Sequence, residues 1–585
     1  MTRRVRGRLA LIALLLAAGC GTPEGPLRTS IRTRVDPARR GLDSWHPMVV
    51  RFYRARDWRP AWTTAIGARR EAFELEVALD RAEEEDGLHR NRFEVQRTHD
   101  LLLELRPNLF GRAPDALRLA ELDVLLTRSY LTSAQQLVAG RVKAADLPID
   151  WRTGPRSADV VRLLEAALRG HDVPGALRRL DPPHQGFVAL REALQRYRAI
   201  DAAGGWRPVG PGARLSLGHF SPRVAALRAR LYTEGQDGLG PPPRDSTLFD
   251  PHLRDALRHF QRRYGLDTTG AVEARDVIAL DVPAGARVQQ IELNLERWRW
   301  VPDTLGERCI LVNIPEYTLR VVEHQRTVGQ MRVVVGKPDW PTPVLSAAVR
   351  YVVFNPLWNV PATIAVSEVL GEVQKDPEYL VRNNIRVYEG TGPKADEIDP
   401  ATIHWNELSA DNFTYAFRQD PGPANPVGHV KFMCPNPFNV YLHDTPSTQY
   451  FRRTQRDLSH GCVRVEQPLG LAQYVLGGGP EWDQKGIAAA LDTSRNEAVT
   501  VPQPLPVHLL YFTTWVDDQG AVDFRPDLYG IDDLQERARQ GQPLPTRDEL
   551  DAARDERRAR ARDQAGDPGR DQIPLVRTTS NPSER

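Results

Sequence analysis

Residues 441–468 read YLHDTPSTQYFRRTQRDLSHGCVRVEQP, in a chain that holds four cysteines in 585 residues. Cys462 sits inside Ser459-His460-Gly461-Cys462-Val463-Arg464, and His443 lies upstream of it. A thiol attacks carbonyl carbon only as thiolate, and nearby His and Arg favour that form. Such chemistry also needs a base within reach, a group that orients the base, and N–H donors for the developing oxyanion. His443 can be the base. In VYLHDT, Val440 and Leu442 alternate with Tyr441 and His443, so the latter two share one face of a strand. Gly461 permits a tight turn that aims the N–H groups of Gly461 and Cys462 at one point. His460 is a second imidazole, suited to orienting the loop or donating to substrate. The Asp444 carboxylate stands beside the base and could orient it.

Two other chemistries compete for these residues. Cys434, His443, His460 and Cys462 form a conceivable metal set, but no CxxC or HxxxH pair is present, and structural zinc sites show closely spaced ligand pairs. The sequence therefore calls for no metal and no cofactor. The plainer alternative is a small buried hydrophobe. That reading suits Cys309, which opens a strand, and Cys434 in KFMCPNPF; these two could also pair as a disulfide. It suits Cys462 less, among polar and glycine neighbours.

A chain this long needs three or four cores. Hydrophobic residues make up 41% and the formal net charge is +2, which gives no basic surface for nucleic acid. At the N-terminus, MTRRVRGR, the apolar LALIALLLAA and then Gly19-Cys20 have the layout of a secretory signal over residues 1–20. The apolar run is shorter than a membrane span requires. Its end, LLLAAGC, resembles a bacterial lipobox, with Ala17 where Leu is usual. This resemblance implies lipidation at Cys20, a membrane anchor and a periplasmic location, and Gly21 points to the outer membrane. An exported chain meets an oxidising compartment. Without Cys20 three cysteines remain, so at least one is unpaired within the chain.

The Pro- and Gly-containing stretch 21–43 reads as a tether. Residues 44–205 carry helical periodicity (Phe73, Val77; Leu75, Leu79, Ala82; Leu122, Leu125, Leu126, Tyr130) and no cluster of catalytic types, which predicts a helical scaffold. Over 213–281, Ser221-Pro222 and Asp250-Pro251 start helices, and Gly235 and Gly265 stop them. From 300 to 535 runs such as CILVNI, TLRVVE, QMRVVVG and VRYVVFN predict strands. Residues 371–430 break that pattern at a length too great for an ordinary connection, and Trp405 and Phe413 favour an ordered lid. Arg452, Arg453 and Arg456 read as a surface loop able to meet substrate carboxylates. Residues 536–585 are charged and poor in large apolar residues, as a disordered tail would be. The fold class is multidomain α+β: a helical scaffold, a three-helix domain and a mostly-β catalytic domain with a lid insertion.

Two of these regions resemble known families. ALRHFQRRYGLDTTG, with Phe260, Gln261, Gly265, Leu266 and Gly270, is similar to the small peptidoglycan-binding domain of wall enzymes. YLHDTP…SHGCVRV, with LVNIPEYTLRVV, VVGKPDWPTPV, VVFNPLWNVPATIA and FMCPNPFNVYLHDTP, resembles the L,D-transpeptidase (YkuD-like) catalytic domain of the large, scaffold-bearing type. Cys434 departs from the aromatic or aliphatic residue usual there. The resemblance implies Cys462 as nucleophile and His443 as general base and acid. Ser459, His460, Gly461 and Arg464 complete the signature, and Tyr441 becomes an oxyanion or substrate contact. The third group is usually one beside the histidine, often a backbone carbonyl; the Asp444 carboxylate remains an alternative. The implied reaction joins a donor tetrapeptide stem to an acceptor amine in a 3→3 cross-link, with carbapenem-type inhibitors acylating the same cysteine. Water as acceptor would make an L,D-carboxypeptidase, a lipoprotein lysine a protein-to-wall anchoring enzyme, and a dead site a lipid-anchored wall tether.

Overall fold

A computed structural model describes residues 25–35, 46–88, 92–107, 114–241, 243–390, 392 and 395–564. Cys20 and the apolar leader lie outside them. Among the described residues no helix is long and apolar enough to cross a membrane.

The N-terminal third is a helical unit. Asp115 caps α3 (Ala116–Ala139) by accepting from the Leu117 N–H, satisfying a donor that a helix start leaves free. Leu122, Leu126 and Tyr130 on α3 are buried together with Ala72, Leu75, Leu79 and Ala82 on α2 (Arg70–Asp86). Val77 lies outside this row and is exposed, and Phe73 is only half-buried, so the inward stripe of α2 is narrower than its periodicity suggested. Asp123 of α3 is fully buried and takes the N–H groups of Ala61, Trp62 and Thr63 at 2.9 Å each. It ties the aromatic RPAW segment into the core. Part of the stretch read as a tether also belongs here. Residues Gly25–Arg34 form α1, with Leu27 and Ile31 buried against α3. The apolar side of one short helix outweighs the Pro/Gly composition around it.

The next unit follows its punctuation. Ser221 caps α4 (Pro222–Glu234), Gly235 ends it with φ +71°, and Asp250 caps α5 (Pro251–Arg263). α6 (Ala274–Leu280) and α7 (Ala284–Trp298) complete it. Its core also takes Val522 and Phe524 from the hairpin of β14 (Thr514–Val516) and β15 (Val522–Phe524), which follows the C-terminal sheet. Glu234, fully buried, accepts from Arg230 at 2.7 Å, Arg263 at 3.2 Å and the hydroxyls of Tyr197 and Tyr264. Arg263 continues to Asp237 and to the Val522 carbonyl. A buried charge with every bond filled favours one arrangement of its neighbours, so the helices and the C-terminal unit are docked rather than strung apart.

The C-terminal unit is a closed ring of strands. β1 (Arg308–Asn313), β2 (Thr318–Glu323) and β3 (Arg326–Gly336) run antiparallel in order. β4 (Val344–Phe354) pairs with β9 (Val430–Met433) on one side and with β13 (Glu497–Leu510) on the other. β9 passes to β10 (Leu442–His443), β10 to β12 (Val463–Val465) and β12 to β3, while β13 returns to β1. β11 (Asp457–Ser459) joins the end of β3. β-Branched residues such as Val333, Val335, Val463 and Val465 fill the inside of this ring, the environment in which their stiff side chains pack best.

The insertion is an ordered unit with its own core, and it starts earlier than residue 371. β5 (Trp358–Asn359), β6 (Ile385–Glu389), β7 (Asp396–Ile398) and β8 (Tyr415–Gln419) form a four-stranded sheet. Trp358, Val387, Trp405 and Phe417 are buried within it. The C-terminal stretch read as disordered is helical to residue 564: α8 (Ile531–Arg539) and α9 (Arg547–Gln564). Over residues 547–560 α9 buries no side chain; its contacts there include Arg547 to Asp150 at 2.7 Å and Arg557 to Asp339 at 2.6 Å.

Candidate active site

The site is built on one strand pair. β10 and β12 run parallel with Leu442 opposite Val463 and His443 opposite Arg464, and the Val463 N–H donates to the Tyr441 carbonyl at 3.1 Å. Side chains alternate across a strand. Leu442, Val463 and Val465 therefore enter the core, and Tyr441, His443, Cys462 and Arg464 share the opposite face. Residues that are far apart along the chain become neighbours because the turn and the loop return the chain in register.

His443 is 5% exposed, and its Nδ1 lies 2.5 Å from the Asp444 carbonyl oxygen. A carbonyl only accepts, so Nδ1 carries the proton and Nε2 keeps its lone pair. Of the two partners left open by the sequence, the backbone carbonyl makes this contact. The Asp444 carboxylate is engaged elsewhere. Its Oδ2 takes the His429 N–H at 2.8 Å and faces His429 Nδ1 at 3.0 Å, and its Oδ1 takes the Thr445 N–H at 2.6 Å. Asp444 raises the His429 imidazole above its ordinary value. Burial, reinforced by the Arg464 charge, holds His443 down to about 3.

Burial also pushes the Cys462 thiol up. The main-chain N–H and hydroxyl of Tyr441 and the charges of Lys431 and Arg464 oppose that rise. Tyr441 itself is raised by burial and by the neighbouring sulfur. Gly461 has φ +108°, a conformation L side chains rarely adopt. Its N–H, expected to point at an oxyanion, instead donates to Ser459 Oγ at 3.2 Å, and Ser459 Oγ donates to the Cys462 carbonyl at 2.5 Å. Ser459 thus closes the turn. The Gly461 carbonyl accepts from Thr342 Oγ1 at 2.8 Å. Among the described residues the Cys462 N–H has no acceptor, which leaves it available to an oxyanion.

His460 Nε2 lies 2.8 Å from Glu368 Oε1, and its ring meets Trp340 edge-on at 5.1 Å. It joins the signature loop to the insertion. Arg464 is 7% exposed with an unpartnered Nε and no acidic partner among the described residues. Arg456 is buried and not a surface residue: it donates to the Val333 carbonyl at 3.1 Å and the Tyr317 carbonyl at 2.9 Å. The guanidinium adds to the junction where the Val333 N–H already donates to the Tyr317 carbonyl at 2.9 Å, and it also donates to the Arg453 carbonyl at 2.7 Å, so it ties the loop to the paired β2 and β3. Arg453 lies over the Tyr450 ring. Cys309, Cys434 and Cys462 are all free thiols. Burial pushes both Cys309 and Cys434 up to about 11, so each is an inert small core residue. Among the described residues no three His, Cys, Asp or Glu side chains gather as a metal would need.

Sequence reasoning missed two residues. Glu368 lies in a helical turn of the insertion, Ala365–Val369, and nothing in its local pattern announces His460. Lys431 was legible: Val430 and Phe432 are buried core residues, so their alternation sends Lys431 to the other face. There it stands opposite His443 in the β9–β10 register.

Residues 307–486 match the family described as "L,D-transpeptidase catalytic domain". Over these residues the chain is similar to L,D-transpeptidase catalytic domains. Residues 48–194 match a "Scaffold domain" and 221–275 a "Putative peptidoglycan binding domain". The chain is 33% identical over 244 residues to a Haemophilus influenzae protein named "Putative L,D-transpeptidase", over 42% of this chain and 48% of that one; the match thus spans about half the relative's length. Two solved structures are also similar. The L,D-transpeptidase of Xylanimonas cellulosilytica is 17% identical at TM-score 0.17, covering 52% of this chain and all of that one. L,D-transpeptidase 3 of Mycobacterium tuberculosis is 13% identical at TM-score 0.18, covering 35% and 61%. At these scores neither bears on the details of the site.

Proposed function

We propose that this protein forms 3→3 cross-links in peptidoglycan through a cysteine acyl-enzyme. The observation that carries the reading is the shared face of Tyr441, His443 and Cys462, with His443 Nδ1–H committed to the Asp444 carbonyl. That tautomer leaves Nε2 as the only basic atom of the ring. As Cys462 Sγ attacks the carbonyl carbon of the third stem residue, its proton passes to Nε2. The oxyanion takes the Cys462 N–H and the Tyr441 hydroxyl. Nε2–H then protonates the departing D-alanine nitrogen as the C–N bond breaks, leaving a thioester. An amine of a second stem attacks the thioester and gives its proton to Nε2. The C–S bond breaks, and the thiolate recovers the proton. The insertion, fastened at Glu368 to His460, would limit water at the thioester and favour the amine.

The test is muropeptide analysis after incubation of sacculi with wild-type and Cys462→Ala protein, together with mass spectrometry after carbapenem exposure. Cross-linked dimers and a Cys462 adduct, both absent from the variant, are the expected outcome. Tripeptide products alone would reassign the acceptor to water, and peptide-bearing lipoprotein to lysine. No adduct on folded protein would make the chain a wall tether. We further propose that the protein acts in the periplasm, anchored at a lipidated Cys20; a Cys20→Ser protein released into the soluble fraction would support this, and unchanged membrane retention would overturn it.

A further inference from the structure

Lys431 is a lysine without an acidic partner at the centre of the catalytic face. It lies on β9 opposite His443 of β10. Directly opposed residues of an antiparallel pair project to the same side. Its Nζ stands 3.7 Å from the centroid of the Tyr441 ring, and no carboxylate among the described residues pairs with it. A cation held this way is costly unless something repays its desolvation. The π-face of Tyr441 repays part. Among the described residues the remainder has one candidate, the sulfur of Cys462, when charged.

We propose that Lys431 is a positioning residue of the transfer reaction: it stabilises the Cys462 thiolate through space and, by withdrawing charge from the Tyr441 ring, makes that hydroxyl a stronger donor to the sulfur and to the oxyanion that replaces it. The proton that leaves Sγ goes to His443 Nε2, so Lys431 keeps its own proton throughout. The inference rests on the acyl-enzyme reading above and adds a residue to it. The direction of the thiol's surroundings agrees: Lys431 favours the charged sulfur, and the sulfur is the one charge that acts to hold Lys431 protonated against burial. The other groups that act on the sulfur are Tyr441, just before β10, Arg464 from β12, and Cys434 beyond the end of β9, with His443 on the same face of β10 and Glu368 acting on Arg464. Arg464 is the second cation. The two differ in that Lys431 alone lies on the tyrosine ring.

The experiment is the pH dependence of Cys462 alkylation by iodoacetamide in the full-length protein, read by peptide mass mapping, with Cys309 and Cys434 as internal controls. Lys431→Met keeps the length of the side chain and removes its charge. It should slow Cys462 alkylation at pH 8.5 on the order of tenfold, moving the profile upward by about one pH unit, while the control cysteines do not move. Lys431→Arg should stay within about twofold of wild type, because a cation remains over the ring. Lys431→Gln is the second neutral variant should the methionine protein fail to fold. A neutral variant whose melting temperature and Cys462 profile both match wild type would overturn the proposal. Alkylation needs no peptidoglycan. An unshifted profile with intact cross-linking therefore sinks the role of Lys431 alone, and a shifted profile without cross-linking sinks the transpeptidase reading alone.

Discussion

Cysteine–histidine pairs rest either as thiolate and imidazolium or as two neutral groups, and this site should be the neutral kind. Burial holds His443 down to about 3, and it pushes the thiol up from an ordinary value of 9.0. His443 at about 3 lies well below the ordinary 9.0 of a thiol, a gap that opposes moving the proton from sulfur to nitrogen at rest. The upward direction of the thiol widens the gap. Two rates follow from this and they diverge with pH. Carbapenem acylation, in which the proton moves during attack, requires only neutral thiol and neutral imidazole, so its rate should be flat from about pH 4.5 to 8. Iodoacetamide alkylation reads resting thiolate, so its rate should rise about tenfold per pH unit over 6 to 8.5. Stopped-flow absorbance gives the first rate and mass-mapped labelling the second. A plateau in alkylation between pH 5 and 8 would show a resting ion pair and refute the reasoning. The same burial sets a stability trend. An unfolded His443 binds a proton below about 6.5, whereas the folded one does not until about 3, so acid in that window favours the unfolded chain. His443→Asn should lose less stability than wild type on going from pH 7 to 4.5, as measured by denaturant titration.

Two further outcomes test how the surroundings hold the site. Gly428 has φ +63°, and a Cβ there would lie 2.4 Å from Asp444 Oδ2. Gly428→Ala should therefore cost about 1–3 kcal/mol and, by displacing Asp444, loosen the carbonyl that fixes His443; a lowered melting temperature with a lowered kcat is expected, and an unchanged pair of values would exclude it. At the other edge, Arg558 donates to the Asp339 carbonyl and covers the Trp340 indole at 3.7 Å, and Trp340 abuts His460. Because the contacts of α9 are made largely by its arginines, Arg557→Gln/Arg558→Gln should raise KM with little change in kcat, and wild type should approach the variant as salt is raised and the surface pairs are screened; equal salt dependence of the two proteins would refute the coupling.

What the sequence carries about this site is the part that strand alternation and local turns encode. Val440-Tyr441-Leu442-His443 states which side chains face the core, and Gly461 marks a left-handed turn, so the face that holds Tyr441, His443 and Cys462 is legible in the sequence. The helix caps at Ser221 and Asp250 were legible for the same reason, being contacts between near neighbours. Alternation does not say which atom a polar group chooses once its local needs compete. Gly461 N–H had two acceptors in prospect, an absent oxyanion and the hydroxyl of Ser459 two residues away, and the nearer one prevails. The Asp444 carboxylate is adjacent to His443 in sequence, yet Gly428 brings the His429 N–H within its reach, and the carbonyl is left to orient the imidazole. Arg456 reads as a surface charge because arginines usually are, and it is drawn inward by two carbonyls more than a hundred residues away. Composition misleads in the same direction at α1 and α9. A tether and a tail were read from the scarcity of large apolar residues, but Leu27 and Ile31 suffice to dock one helix, and a few arginines with partners on distant loops suffice to place the other. Glu368 makes the general case. It lies near the start of an insertion and acts on a loop ninety positions on, so its pairing with His460 depends on how the insertion's own core, built on Trp358, Val387 and Phe417, sets its angle to the ring of strands. The shared face was therefore readable from one strand and one turn, while the devices that hold it in place are written in contacts no local pattern contains.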